Sequence, residues 1–446
     1  MTNEVTTAGV GNRFLPKNCC EIISNKFNLD SNVELETGQV SSTAGFIRPT
    51  GGTAAGTPYN FDLPPVADTF LQMNSMYFYI KCKIQKADGT SLTATDSVGL
   101  VNGFGLSFFE EIQVFLNGFK ISQDTDVAMP YKNMIETQLS YEGDAKETHL
   151  TTNLFKMDTT SAMEDFDYLN GSNTGFKTRS STIQLSKEFD FTVPLCTDFT
   201  RADNHLAPGS TLGIVAKQNS TPFLIKSNSD DAAFKIIVQD IRLYYNRIRL
   251  DPKLTAGIVQ KPHRYLTART QLLHRALAQG LHSFHTELFR GALPRTVVVC
   301  QVRSSAFGGR YKENPYNFQH FKVNDINLRL NGLSIPSDAY ECDFDNNLVM
   351  RAYTELFINT GTWRNDRGAC VSLERFKKGS TFFCWDLTPD RCNSYHLHNS
   401  RSGVLDLEMT WKTPLEQPTT ILIYAVFNQR ITANVDNKMQ NLIEVI

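Results

Sequence analysis

Apolar and polar residues alternate with a period of two in runs spread along the chain. Ile112, Val114 and Leu116 alternate with Gln113, Phe115 and Asn117, the spacing that turns one face of a strand into a core. Asn117-Gly118 follows, and both residue types tolerate positive φ, so the pair predicts a tight reversal into Phe119-Lys120-Ile121. The same grammar recurs downstream: Ile326, Leu328 and Leu330 alternate with Asn327, Arg329 and Asn331, and Asn331-Gly332 closes the run. The copies lie about 200 residues apart, a spacing that fits one β-sandwich per copy better than a short solenoid repeat.

Other runs fill in the two units. Phe78, Ile80, Cys82 and Ile84 alternate with Tyr79, Lys81, Lys83 and Gln85, and Asp88-Gly89 supplies a turn. Tyr131, Met134, Ile135 and Leu139, behind Pro130, have helical spacing and predict a short helix. Strands are expected again at Phe189 to Leu195, Leu212 to Ala216, Phe223 to Ile225 and Phe234 to Ile248, giving roughly eight, the number of a jelly roll. The second half repeats the programme with Val297-Val298-Val299-Cys300, a short helix near Tyr353 to Phe357, Thr381 to Trp385, and long strands at Leu405 to Trp411 and Ile421 to Phe427.

The expected fold class is therefore all-β: two tandem jelly-roll β-sandwiches, a double jelly roll, with short helices in inter-strand insertions. Residues 1–56, rich in Gly, Thr, Ser and Asn, read as a flexible arm with one short strand at Val33 and Leu35. The first roll is expected over 57–252, with a long insertion near 140–180. A linker over 253–293 follows, with a helical turn at Leu272 to Ala278 capped by Gly280. The second roll spans 294–430 and a tail 431–446. The insertion's Leu154, Phe155, Met157 and Phe166 predict contact with another subunit, because long polar loops hold apolar groups only against a partner.

Composition narrows the function classes. In 446 residues, 41% are hydrophobic, and 44 basic against 46 acidic residues leave a formal net charge of −2. That balance gives no bulk electrostatic reason to expect nucleic-acid binding. Thirty Phe and fifteen Tyr against three Trp suit sheets. Nine cysteines (Cys19, Cys20, Cys82, Cys196, Cys300, Cys342, Cys370, Cys384 and Cys392) form no C-x-x-C. They read as small buried hydrophobes in a reducing compartment. Met1 to Val5 lacks signal-peptide character and no run of about 18 apolar residues exists, so a soluble, cytosolically synthesised product is expected.

Candidate chemistry is sparse. His263, His274, His282 and His285 cluster in sequence, and a spacing of three can place two imidazoles for zinc, but no H-E-x-x-H or acidic ligand completes a site. They read as surface or interface histidines, as do His396 and His398. Glu164, Asp165 and Asp167 form an acidic loop without the separation across a cleft that glycoside hydrolysis requires. Gly308-Gly309-Arg310 and Gly103-Phe104-Gly105 lack the strand-loop-helix context of a phosphate cradle. Tyr77-Phe78-Tyr79 places its rings on alternating faces, as in sheet packing. No catalytic, cofactor-binding or metal residue is assigned.

Several stretches carry a resemblance. Lys86-Ala87-Asp88-Gly89-Thr90-Ser91-Leu92, Val101-Asn102-Gly103 with Ser107-Phe108-Phe109, Val114-Phe115-Leu116-Asn117-Gly118, Pro130-Tyr131-Lys132, Ile135-Glu136-Thr137 and Ala145-Lys146-Glu147-Thr148 resemble the major capsid protein of Polinton/Maverick-type elements and adintoviruses. Leu293 to Val299 and Asn314-Pro315-Tyr316-Asn317-Phe318 are similar to later stretches of that family. The resemblance implies a hexon-like double jelly roll, a non-enzymatic structural protein of the virion made in the host cytoplasm. It would form homotrimers whose pseudo-hexagonal capsomers tile an icosahedral shell, with penton and minor capsid proteins as further partners and no specific nucleic acid. The alternative from another class is a tandem jelly-roll glycan-binding protein or glycan-directed hydrolase.

Overall fold

A computed structural model describes residues 38–51, 56–122, 128–230, 233–365, 368–389, 391, 401–433 and the backbone of 442–445. The first half runs β1 (Gln39–Ile47), β2 (Tyr59–Leu63), β3 (Thr69–Lys86), β4 (Val98–Leu100), α1 (Phe104–Ser107), β5 (Phe109–Leu116), β6 (Phe119–Lys120), α2 (Met129–Ser140), α3 (Gly143–Glu147), α4 (Thr174–Ile183), β7 (Phe189–Pro194), β8 (Leu212–Gln218), α5 (Thr221–Leu224), β9 (Ile225–Ser227) and β10 (Phe234–Leu250). After α6 (Pro252–Val259), the second half runs β11 (His263–Leu277), β12 (Ser283–Ala292), β13 (Thr296–Arg303), α7 (Ser304–Phe307), β14 (Val323–Leu330), β15 (Leu333–Glu341), α8 (Met350–Asn359), α9 (Leu373–Lys377), β16 (Phe383–Asp386), β17 (Ser402–Trp411), β18 (Thr419–Ala433) and β19 (Leu442–Val445).

The wiring is the same in both halves. The first unit pairs β1-β10-β3-β7 in one sheet and β2-β8-β5-β6 in the other, and the second pairs β11-β18-β13-β16 and β12-β17-β14-β15. Leaving aside the small β4-β9 sheet and the added β19, each unit's strands numbered in chain order pair as 1-8-3-6 and 2-7-4-5. That is a jelly roll, present twice. The inner faces alternate as the pattern requires: Phe78, Ile80, Cys82 and Ile84 on β3 and Leu405, Leu407, Met409 and Trp411 on β17 are at most 1% exposed.

The two Asn-Gly pairs occupy the same turn of their rolls, between strands four and five. Asn117 and Gly118 have φ of 52° and 83°, Asn331 and Gly332 51° and 82°, the left-handed geometry such a turn needs. Each Asn also fastens the next strand over. Asn117 bonds Thr211 through its N–H (3.0 Å) and accepts from the Thr211 N–H at its Oδ1 (2.9 Å). Asn331 does the same to Val404 at 2.8 and 2.9 Å.

Register fixes a polarity. Gln39 faces Leu250 and His263 faces Ala433, so both first strands start at the end of the rolls that α6 bridges. Among the described residues every other helix lies in connections at the opposite end: between strands three and four (α1, α7), five and six (α2 to α4, α8, α9) or seven and eight (α5).

The structure corrects several boundaries. Within the stretch read as an arm, β1 pairs with β10 along its length; both its faces are open, so Gln39, Ser41, Ser42, Thr43 and Gly45 leave it without a clear alternation and its sequence looks like a loop. The stretch 253–293 read as a linker holds α6, β11 and β12. Leu272 to Leu277 is strand, and Gly280 (φ 85°) turns β11 into β12 while its N–H bonds the Leu415 carbonyl. Polar and basic residues such as Arg264, Arg269 and Arg275 interrupt alternation on β11. Phe223 lies in α5 and Ile225 in β9, where a single strand was expected. Within the tail, Leu442–Val445 pairs antiparallel with Gln429 to Thr432 of its own sheet. The strand expected at Val33 and Leu35 lies outside the described residues.

Candidate assembly surface

The richest chemistry lies where the rolls meet. Helix α2, started by Pro130 at its first turn, is buried at ten positions, Met129 to Ile135 and Thr137 to Leu139, because it is wedged between the first roll and the second. Tyr131 stacks on Phe307 at 5.2 Å and meets Tyr316 and Phe318 edge-on, and its hydroxyl donates to the Phe307 carbonyl at 3.1 Å. One residue on, the Lys132 ammonium pairs with Asp198 at 2.5 Å, and Asp198 accepts from the Thr270 N–H of β11 at 2.6 Å. One turn further, Glu136 accepts from the Tyr424 hydroxyl of β18 at 2.9 Å and pairs with Arg201 at 2.5 Å. Burial, reinforced by the Glu136 carboxylate, holds the Tyr424 phenol well above its usual range.

A second layer is ionic. Asp158 and Arg179, 2% and 3% exposed, pair at 2.5 Å. The Asp158 carboxylate also accepts from Asn173 and Asn314, both at 3.0 Å, and its carbonyl accepts from Arg375 at 2.7 Å. Asn314 and Arg375 belong to the second roll, so one buried carboxylate joins the halves. Lys226 is buried and donates to the nearby Pro222 carbonyl (2.8 Å) and, across the same seam, to the Arg310 carbonyl (2.9 Å). Burial pushes its ammonium down to about 7, against the pull of Glu164 and Glu313. Gly309 (φ +87°) lets the chain cross Phe223 closely, since a Cβ there would sit 2.8 Å from Phe223 backbone atoms.

The acidic loop is absorbed by this architecture. Glu164 accepts from Asn317 Nδ2 at 2.6 Å and the Asn314 N–H at 2.8 Å; burial raises its pKa and these two donors oppose the rise. Asp165 accepts from the N–H groups of Asp167 and Ser172, and Asp167 from those of Leu169 and Asn170. All three carboxylates thus organise backbone. Glu164 and Asp165 edge a cleft of about 720 Å³ shared with Arg303, His320 and Lys378, where burial pushes the His320 imidazole down to about 4.

The histidines do not converge. His263 and His274 lie at opposite ends of β11, whereas His285 is on β12 in the other sheet, and His282 precedes it. His274 rests on the Phe307 ring at 5.1 Å. Among the described residues no cluster of three metal-ligating side chains forms. Cys82, Cys300, Cys342 and Cys384 are buried, Cys196 is half-buried and Cys370 exposed. Burial pushes the four buried thiols up, Cys342 to about 12. Cys19, Cys20, Cys392, His396 and His398 lie outside the described residues.

Phe155 and Phe166 of the insertion are 1% and 3% exposed within the chain. Their apolar surface is satisfied without a second subunit, which removes the ground on which the sequence pointed there for a partner. Sequence reasoning also missed Asp158, Arg179, Lys226 and Glu136. Their partners lie up to 288 residues away, and only Tyr131 and Ile135, as a helical stripe behind Pro130, signalled the junction.

No family model matches the chain. It is 22% identical over 396 residues to an uncharacterized protein of Caenorhabditis elegans, covering 83% of this chain and 90% of that one. A chain of the Sputnik virophage particle superposes with a TM-score of 0.62 at 13% identity, over 98% of this chain and 94% of that one. The mavirus major capsid protein gives 0.56 at 9% over 97% of each, and the Faustovirus major capsid protein 0.58 at 9% over 90% and 92%. The double jelly roll found here is the fold of those capsid proteins.

Proposed function

We propose that this chain is the major structural subunit of a virus-type icosahedral shell, working by association rather than turnover. Three copies form a homotrimer of six rolls, a pseudo-hexagonal capsomer that tiles with its neighbours and with penton and minor capsid proteins. The helix-bearing end of the rolls faces outward.

One observation carries this reading. The first roll contacts the second head to tail: its α2 and Asp198 cover the outer face of the β11-β18-β13-β16 sheet around Tyr424 and Thr270, and Phe199 packs on Tyr265 further along β11. A contact between unlike faces leaves one of each unused, and repetition closes a ring when the rotation allows. Shared fold with viral capsid proteins along 90% or more of the chain supports the shell reading. Like the resemblance to Polinton/Maverick capsid proteins, it favours three copies, since two rolls per chain then complete six positions.

Light scattering behind a sizing column, on protein purified under reducing conditions, tests it. A trimer mass is expected across concentrations. A folded monomer that persists at high concentration would overturn the proposal.

A further inference from the structure

The two rolls are wired alike, yet their corresponding sheets differ in cover. On the second roll, the outward residues Leu422, Tyr424 and Val426 of β18 and Thr270 and Leu272 of β11 are all at most 8% exposed, because the first roll lies over them. On the first roll the corresponding sheet is open. Its edge strand β1 is exposed at most positions. Phe46, Tyr244 and Tyr77 face one another across β1, β10 and β3. Tyr77 stacks on Tyr244 at 5.1 Å and Phe46 leans on the same ring at 5.6 Å, leaving Phe46 46% and Tyr77 38% exposed. Arg242 lies over Phe46 at 5.1 Å and Arg48 at 5.8 Å.

An aromatic row flanked by arginines is the composition of an interface core rather than of ordinary solvated sheet. The second roll carries the matching unused element. Its connection between strands five and six holds α8, in the chain position that α2 has in the first roll, and exposes Leu348 (67%), Met350 (54%) and Trp363 (45%). We infer that the open outer face of the β1-β10-β3-β7 sheet, centred on Phe46, Tyr77 and Tyr244, receives the second roll of another copy of this chain. The contact repeats between chains what α2 and Asp198 do within one. This rests on the trimer reading and adds the faces that close the ring.

The test compares wild type with Phe46→Asp, Tyr244→Asp and Met350→Asp, by light scattering and by iodide quenching of tryptophan fluorescence. All three substitutions are at exposed or half-buried positions, so circular dichroism should show an unchanged fold. Each should raise the concentration needed for trimer by roughly tenfold or more. Trp385 and Trp411 are 2% and 0% exposed, so quenching reports Trp363 almost alone. It should be protected in the wild-type trimer and accessible in the variants. A wild-type monomer would overturn the proposed function itself. A wild-type trimer whose variants remain trimeric, with Trp363 quenched throughout, would overturn only this assignment. So would a trimer unaffected by Phe46→Asp and Tyr244→Asp, the result expected if the chain's own first residues cover that face.

Discussion

Replacing Asp158 by Ala probes the seam between the rolls. The carboxylate is 2% exposed and accepts from Arg179, Asn173 and Asn314. Its removal leaves the Arg179 guanidinium, 3% exposed, buried with only the carbonyls of Leu100 and Lys156 as acceptors. Breaking one side of a buried ion pair costs about 3–5 kcal/mol, because the remaining charge keeps its desolvation penalty without its partner. At about 2–4 °C per kcal/mol for a unit the size of one roll, the melting temperature should fall by roughly 10 °C. Thermal unfolding followed by circular dichroism, at one fixed protein concentration, reads this directly, since association also stabilises by mass action. Glu287→Ala, which removes the exposed partner of Arg290, should leave the melting temperature unchanged. Asp158→Ala combined with Arg179→Met should recover part of the loss, because it removes the stranded charge. A loss below about 1 kcal/mol for Asp158→Ala, or a double variant worse than the sum of its parts, would refute the seam's ionic account.

Asn117→Ala and Asn331→Ala should each cost about 2 kcal/mol in urea unfolding, combining the positive-φ penalty with the lost bond to Thr211 or Val404. The Gly variants should cost less than the Ala variants, and unequal losses at the two turns would count against their equivalence. Lys226 has a folded pKa of about 7 against an ordinary 10.5. The unfolded chain therefore binds more protons in that window, so stability due to Lys226 is present above pH 10.5 and is lost as pH falls towards 7. The stability difference between wild type and Lys226→Met should accordingly grow in favour of wild type from pH 7.5 to 9.5, by about 1.4 kcal/mol per unit at most. A difference flat with pH would show that Lys226 stays charged in the fold.

What was legible in the sequence is what local physics dictates. The Asn-Gly turns declared themselves because a two-residue reversal needs left-handed backbone, and the inner faces of β3, β5, β14 and β17 because burial on one side imposes alternation. Helix α2 showed through Pro130 and its stripe, and the short helix expected near Tyr353 to Phe357 is α8. Strands β1 and β11 did not. Neither has the simple pattern of a strand with one core face: β1 is open on both faces, and β11 mixes buried Tyr265, Thr270 and Leu272 with basic residues reaching water. The run at β18 read as a long strand without showing that both its faces are covered, the outer one by the first roll. The seam itself was unreadable, because the contacts that cross it join residues far apart in the chain, and only folding reveals that Glu164 accepts from the amides of Asn314 and Asn317.

Electron microscopy of the purified, reduced protein reads the assembly itself. Particles of three-fold symmetry with a six-lobed outline are expected, each lobe one jelly roll, with the β1-β10-β3-β7 face of every first roll covered by a neighbouring second roll. Isolated two-lobed monomers, or an assembly that leaves that face open while joining the chains elsewhere, would contradict the proposed assembly.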